Sequence, residues 1–226
     1  MKSKIIFSVV MVFVLFITGC TKDNKSAPNA TISGRVIYDG QPLEVRSNGV
    51  QLELWQPGYQ LFSKIPVHVN QDGTYSAKVF NGSYRLTLLR GNGPWADKTD
   101  SILVDVNGTA NIDVPVDPYF IIKNAAFTRS GNTVNASFTV QRVNTTRALE
   151  LVRLYIGQTI VTDQTNNAAS AQKTAAAIPD LTQTITLSAT IPASLASKDY
   201  VYVRLGVKAV NVAELLYSPS QQVMTK

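Results

Sequence analysis

The sequence predicts an all-β protein made of two antiparallel β-sandwich domains in tandem, preceded by a secretory signal. Apolar and polar residues alternate with a period of two through most of the chain, as half-buried strands require. Asn-Gly and Asp-Gly pairs separate these runs, and both pairs tolerate the positive φ angles of tight hairpins. Helix-favouring charged residues are scarce, with four glutamates among 226 residues. This length accommodates two domains of about 100 residues each.

Residues 1–19 are predicted to be a cleaved signal peptide. Two lysines precede an apolar run over residues 5–17, which is shorter than the roughly 20 residues that a membrane-spanning helix needs. The run ends in Ile17-Thr18-Gly19-Cys20, which resembles the lipobox of bacterial lipoproteins and implies that Cys20, the single cysteine, carries the lipid. We therefore expect a lipid-anchored outer-membrane protein with a polar tether over residues 20–29. It is expected at the cell surface, with the periplasmic face of the membrane as the alternative.

The first domain is predicted to span residues 30–116. Alternation places apolar side chains on one face of about seven short strands, and no helical pattern interrupts them, which predicts a β-sandwich. The run that ends at Val106 is expected to form a hairpin, across Asn107-Gly108, with the run that begins at Ala110.

The strand starts and turns of this domain carry a set of motifs: Gly34-Arg35-Val36, Asp39-Gly40-Gln41-Pro42-Leu43, Asp72-Gly73-Thr74-Tyr75 and Asn81-Gly82-Ser83-Tyr84-Arg85-Leu86. As a set they resemble the transthyretin-like, or carboxypeptidase-regulatory-like, β-sandwich. Modules of this kind usually serve as stalks or binding scaffolds. The resemblance therefore implies a domain without an active site.

The second domain is predicted to span residues 117–226, because Asp117-Pro118 ends the alternation of the first. Its longest alternating run covers residues 201–209, and the Ala-rich stretch over residues 162–180 is predicted to be mostly loop. Val207-Lys208-Ala209-Val210-Asn211, followed by Ser218-Pro219-Ser220, resembles the closing strands of a fibronectin type III domain. That resemblance implies an immunoglobulin-like sandwich.

Taken together, the lipobox and the two sandwiches resemble a two-domain lipoprotein family of gut Bacteroidetes whose domains are of unknown function. Its members are commonly encoded beside SusC- and SusD-like proteins, which capture and import glycans. The resemblance implies a glycan-uptake context for this chain, with SusC/SusD-like outer-membrane proteins as candidate partners and a glycan as a candidate ligand.

Several classes of function find no support in the sequence. The formal net charge is +6, but the ten basic side chains of residues 117–226 are scattered singly, so no patch suits nucleic acid. His68 is the single histidine and no Gly-x-Ser-x-Gly motif accompanies it, so a hydrolase triad is not indicated. With Cys20 assigned to lipid, a zinc site also lacks ligands. We expect neither catalysis nor a bound metal or cofactor.

The residues predicted to contact a ligand are aromatic side chains with polar neighbours: Trp55, Tyr59, Asn92, Trp95 and Asp97. Trp55 falls on the polar side of its strand, and Trp95 lies in a glycine-containing loop, where binding residues are often found. Flat aromatic rings can stack on the apolar faces of sugars while polar groups bond the hydroxyls. The alternative is that both tryptophans seal an end of the sandwich or the domain junction.

These observations lead to two hypotheses of different kinds. The first is a non-catalytic outer-membrane lipoprotein that binds glycan or assists a polysaccharide-capture system. The second is a structural spacer or protein-docking subunit with no ligand of its own.

Overall fold

The structure, a computed structural model, describes residues 26–58 and 62–226. The strands of the first domain, numbered in chain order, are β1 (Ala30–Tyr38), β2 (Gln41–Pro42), β3 (Gln51–Trp55), β4 (Lys64–His68), β5 (Thr74–Val79), β6 (Gly82–Leu88), β7 (Ile102–Val106), β8 (Thr109–Asn111) and β9 (Val114–Pro115). Those of the second domain are β10 (Phe120–Ser130), β11 (Thr133–Arg142), β12 (Leu149–Gly157), β13 (Ala169–Thr174), β14 (Ile185–Thr190), β15 (Tyr200–Ala209), β16 (Leu216–Tyr217) and β17 (Gln221–Met224).

The predicted all-β class is confirmed. Helical structure in the described residues consists of a 3-10 turn, Ala175–Ala177, and a short helix, Ala193–Ala196. Neither these nor any other described segment forms a helix with the length and hydropathy to cross a membrane. The predicted signal peptide and Cys20 lie outside the described residues.

The first domain packs two sheets against each other. One has the order β2-β1-β5, with β8 and β9 also paired to β1, and the other has the order β4-β3-β6-β7. Inward side chains of both sheets, such as Ile32, Leu54 and Leu86, are fully buried in one core. Outward residues alternate with them, as the sequence predicts.

The predicted hairpin between β7 and β8 does not form. Instead β8 and β9 run parallel to β1 in the opposite sheet, with Thr109 opposite Thr31. Gly108 has a φ of 80°, its carbonyl accepts a hydrogen bond from Thr31 N (2.8 Å) and its N–H donates to Asn81 Oδ1 (2.8 Å). Because the turn is bonded to β1, the chain passes from one sheet to the other rather than folding back.

The segment between β8 and β9 lies close against β1. A Cβ atom on Gly34 would lie 1.8 Å from the carbonyl oxygen of Ile112, so only glycine fits there. The Tyr75 hydroxyl donates to the same oxygen (2.5 Å), and Arg35 Nη2 lies 2.5 Å from Asp113 Oδ2. These contacts attach the end of the domain to its first strand.

The second domain is also a sandwich, of sheet β10-β11-β14 and sheet β13-β12-β15-β16, with β17 paired to β15. The prediction that residues 162–180 are mostly loop was wrong in part. Strand β13 lies within this stretch and pairs with β12 from Ala169 to Thr174. Two of the half-buried positions of β13 are alanines. Alanine is only weakly apolar, so its alternation with the polar residues between was not recognised in the sequence.

A buried charge, Arg204 of β15, joins the two domains. Its Nη2 lies 3.0 Å from Glu44 Oε2 and donates to Val45 O (3.0 Å), both in the first domain. Its Nε donates to Ser218 O (2.8 Å), and its guanidinium lies 4.4 Å from the centroid of the Tyr217 ring. Burial lowers the pKa of Arg204 and raises the pKa of Glu44, because each charged group loses water.

Further contacts surround this ion pair. Arg46 Nε donates to Glu214 Oε2 (3.1 Å), and Gln71 Nε2 donates to Ile160 O (2.9 Å). The Tyr217 N–H donates to Glu44 O (3.0 Å), so the backbones of the two domains are also bonded directly. The domain junction is therefore a packed polar interface.

Candidate functional site

A row of large side chains crosses the outward face of sheet β4-β3-β6-β7. Trp55 on β3 lies opposite Lys64 on β4 and Arg85 on β6, and Arg85 lies opposite Leu103 on β7. Residues directly opposite in antiparallel strands have Cβ atoms about 4.5–5.5 Å apart, so the four side chains are neighbours across the whole sheet. Lys64, Trp55, Arg85 and Leu103 are called the Trp55 row below.

An aromatic pair forms the apolar part of this face. Trp55 points outward because its neighbour Leu54 is buried in the core, and it stays partly exposed. The Phe62 ring lies 5.1 Å from the Trp55 ring, centroid to centroid, with a 32° angle between the planes, and Phe62 is 56% exposed. Two aromatic rings and the 70%-exposed Leu103 thus present apolar surface to solvent on one sheet face.

Polar groups flank the aromatic pair on both sides. Lys64 Nζ lies 2.6 Å from Glu53 Oε1, which holds an ammonium and a carboxylate beside Trp55. On the other side Arg85 is exposed, and its side chain has no ion pair or hydrogen bond within the described residues. The face therefore offers flat aromatic surface next to both hydrogen-bond donors and acceptors, as polyhydroxylated ligands require.

The structure gives Asn92 and Asp97 a local role. Asn92 Oδ1 accepts from the Gln51 N–H (2.5 Å), and Asn92 Nδ2 donates to Gly49 O (3.0 Å). Asp97 Oδ1 accepts from the Gly91 N–H (2.7 Å). Both side chains therefore fold the loop after β6, and the amide of Asn92 bonds the chain itself rather than facing a ligand as predicted.

Trp95 is buried, contrary to its prediction as a ligand contact. It is 3% exposed, and a Cβ on Gly93 would lie 2.2–2.5 Å from the Trp95 indole, so the ring lies directly on the glycine backbone. Its backbone forms an isolated bridge with Pro118, and the Ala96 N–H donates to Asp117 O (2.9 Å). The ring seals the first domain at Asp117-Pro118, the linker to the second domain, and no ring face is available for stacking.

The structure therefore separates the predicted site residues. Trp55 lies on the outer surface, Trp95 in the core, and Tyr59 lies outside the described residues. Sequence reasoning missed Phe62, Lys64 and Arg85. Arg85 and Lys64 occupy outward positions of alternating strands, but the register that places them beside Trp55 is a tertiary property. Within the described residues, no group of three or more His, Cys, Asp or Glu side chains could hold a metal ion.

Comparison with known families gives matches to both domains. The family described as "Protein of unknown function (DUF3823) N-terminal domain" matches residues 30–117. The family described as "Domain of unknown function (DUF3823_C)" matches residues 120–222. No curated protein matches the chain. The likeness of the two domains to transthyretin-like and fibronectin type III sandwiches stays a prediction.

Solved structures agree with these matches. A DUF3823 family protein from Bacteroides ovatus ATCC 8483 is 38% identical, with 87% of this chain and 100% of that chain covered and a TM-score of 0.81. One from Parabacteroides merdae ATCC 43184 is 35% identical, with 88% and 100% covered and a TM-score of 0.80. A "putative carbohydrate binding protein" from Bacteroides uniformis ATCC 8492 is 18% identical, with 87% and 99% covered and a TM-score of 0.71, a similarity of fold alone. This chain belongs to the DUF3823 family and contains both its N-terminal and its C-terminal domain.

Proposed function

We propose that this chain is a non-catalytic, lipid-anchored protein of the outer membrane that binds carbohydrate at the cell surface and assists glycan uptake. The observation that carries the proposal is the pairing of Trp55 with Phe62 on an outward sheet face, flanked by Lys64 and Arg85. Solvent-facing aromatic surface next to exposed polar groups is a typical feature of ligand sites.

A sugar would use both parts of this face. The apolar face of a sugar ring stacks on the Trp55 and Phe62 rings, while Arg85 and the Lys64–Glu53 pair bond its hydroxyls. The platform is a sheet surface rather than a deep pocket, which suits an extended polysaccharide that crosses it. Because strands hold Trp55, Lys64 and Arg85, little ordering of these three side chains is needed on binding.

The fold neighbour from Bacteroides uniformis is described as a "putative carbohydrate binding protein", and the proposal agrees with that description. The family resemblance of the sequence suggests the partners, which are SusC- and SusD-like proteins that import the captured glycan. In this arrangement the chain contributes affinity for the polysaccharide and the neighbours carry out transport.

Binding is tested by native electrophoresis of the full-length chain, solubilised in detergent, through gels that contain single polysaccharides. The proposal predicts that at least one polysaccharide retards the wild-type chain. Trp55→Ala and Phe62→Ala should each weaken the affinity at least about tenfold, which corresponds to about 1.4 kcal/mol. Tyr200→Ala, which removes a 41%-exposed aromatic ring from the second domain, is the matched control and should leave retardation unchanged. Retardation that survives Trp55→Ala would contradict the assignment of the site.

The lipid anchor is tested separately. Cells that express the full-length chain are labelled with radioactive palmitate, and the wild-type chain should incorporate label while Cys20→Ser should not. Protease added to intact cells should degrade the wild-type chain if it lies at the surface. An unlabelled wild-type chain would refute the anchor without bearing on carbohydrate binding.

One observation favours the alternative of a spacer or docking subunit. The buried Arg204–Glu44 contact fixes one domain against the other, as a rigid stalk would need. That alternative predicts co-purification with a SusC/SusD-like pair, with no retardation in any polysaccharide gel. Retardation that depends on Trp55 would refute it.

A further inference from the structure

A concave site lies where the two domains meet. It is a cleft of about 300 Å³, lined on one side by the β1–β2 hairpin of the first domain, which includes Tyr38 and Gln41. On the other side it is lined by Lys123 and its neighbours on β10, and by Pro219 in the segment after β16. Ligand sites occur preferentially at such domain interfaces, and this volume is at the lower end of their usual range.

The walls of the cleft are fixed by contacts already made. Asp39 (φ 50°) and Gly40 (φ 72°) form the tight turn that sets the β1–β2 hairpin, in which Tyr38 pairs with Gln41. Across the junction, the Tyr217 N–H donates to Glu44 O (3.0 Å), which sets the distance between the hairpin and β16. The cleft is therefore preformed.

The polar groups in the cleft divide into two sets. Glu44 is paired with Arg204, and the Ser218 hydroxyl accepts from the Leu205 N–H (3.1 Å) and donates to Pro219 O (3.1 Å), so these groups are used by the fold. The second set comprises Asp39, Gln41 and Lys123 and the Tyr38 hydroxyl, which have no side-chain partner within the described residues. Asp39 can therefore accept a hydrogen bond from a ligand, Lys123 can donate one, and the Gln41 amide can do both.

Most of the remaining lining is apolar, namely Pro42, Leu43, Ile121, Ile122, Leu216 and Pro219. We infer that the domain cleft is a second carbohydrate site, which takes a neutral sugar of one or a few rings. A sugar ring presents an apolar face to the aliphatic residues and to Tyr38. Its hydroxyls can accept from Lys123, donate to Asp39 and do both with Gln41.

The charges of the cleft favour a neutral ligand. A ligand with a negative charge would be repelled by Asp39, and one with a positive charge by Lys123, so neither gains from both groups. A neutral polyhydroxylated ligand bonds both without such a conflict. The inference stands on the cleft alone and does not depend on the Trp55 row.

The test is methyl NMR of the full-length chain in detergent, with labelled isoleucines. Maltotetraose, cellotetraose, xylotetraose and mannotetraose are added in turn, and glycylglycine is the zwitterionic comparison. The signals of Ile121 and Ile122, which line the cleft, report its occupancy. Gln41→Ala combined with Lys123→Ala removes two exposed side chains, and an unchanged melting temperature shows that the fold is retained.

The inference predicts that at least one tetrasaccharide shifts the Ile121 and Ile122 signals saturably. The double variant should weaken that affinity at least about tenfold, while Trp55→Ala should leave it unchanged. Absence of shifts with all four sugars would overturn the inference. Shifts that are unaffected by the double variant, or shifts with glycylglycine alone, would also overturn it.

Discussion

Replacement of Arg204 by alanine should destabilise the protein more than any other single loss of a charged side chain at the junction. The change leaves the Glu44 carboxylate, whose side chain is 19% exposed, without its partner. It also removes the donors to Val45 O (3.0 Å), Gln71 O (3.3 Å) and Ser218 O (2.8 Å). Because Arg204 is fully buried, water cannot readily replace these bonds.

The expected magnitude follows from the number and kind of contacts. Removing one partner of a buried ion pair costs about 3–5 kcal/mol, and each hydrogen bond from a charged donor contributes about 1.5–3 kcal/mol. These contributions overlap, so we expect the free energy of unfolding to fall by about 3–5 kcal/mol rather than by their sum. A domain of ordinary stability, at about 5–15 kcal/mol, would lose a large part of it.

The assay is equilibrium urea unfolding of the full-length chain, followed by tryptophan fluorescence, since Trp95 is buried beside the linker residue Pro118. The matched control is Arg153→Ala on the neighbouring strand, where the side chain is part-exposed and bonds Gln172. The control should lower the free energy of unfolding by no more than about 1 kcal/mol. Equal unfolding midpoints for the two variants would refute the structural role given to Arg204.

Three further predictions concern the first domain. Trp95→Ala should reduce the free energy of unfolding by about 3–5 kcal/mol because it empties a core position, and a loss below about 1 kcal/mol in urea unfolding would contradict its burial. Gly34→Ala should abolish folding or greatly lower the melting temperature, since its Cβ would lie 1.8 Å from Ile112 O, whereas a wild-type melting curve would refute this contact. The hydrogen bond from Arg35 holds the pKa of Asp113 below its usual value of 3.8, so carboxyl NMR should give a lower value in the wild type than in Arg35→Met. The stability from this pair is complete above the usual pKa of Asp113 and is lost as the pH falls through its folded pKa.

Local patterns in the sequence were sufficient for most of the strands, with β13 as an exception, and for the class of fold. The alternation that ends at Leu54 and Trp55 predicted both the buried and the outward side chain, because side-chain direction in a strand follows from position alone. The turn at Asn107-Gly108 was also recognisable. The partner of the strand that follows this turn, β8, was not recognisable. Whether β8 pairs with β1 or with β7 depends on contacts that are distant in the sequence.

The candidate site was only partly predictable for the same reason. Loop composition suggested Trp95 as a contact residue, but the backbone of Gly93 lies against its indole and the linker pairs with it, and neither contact leaves a local signal. Arg204 likewise occupies a position that alternation assigns to the outward face. It is buried because the first domain covers that face.

The most direct test of carbohydrate binding at the Trp55 row uses the two tryptophans of the chain as internal reporters. The full-length, indole-labelled protein is titrated with the polysaccharide that retards it most in gels. We predict that the indole N–H signal of Trp55 shifts saturably while the signal of buried Trp95 stays in place. A Trp55 signal that is unmoved at saturating polysaccharide would contradict the proposed site.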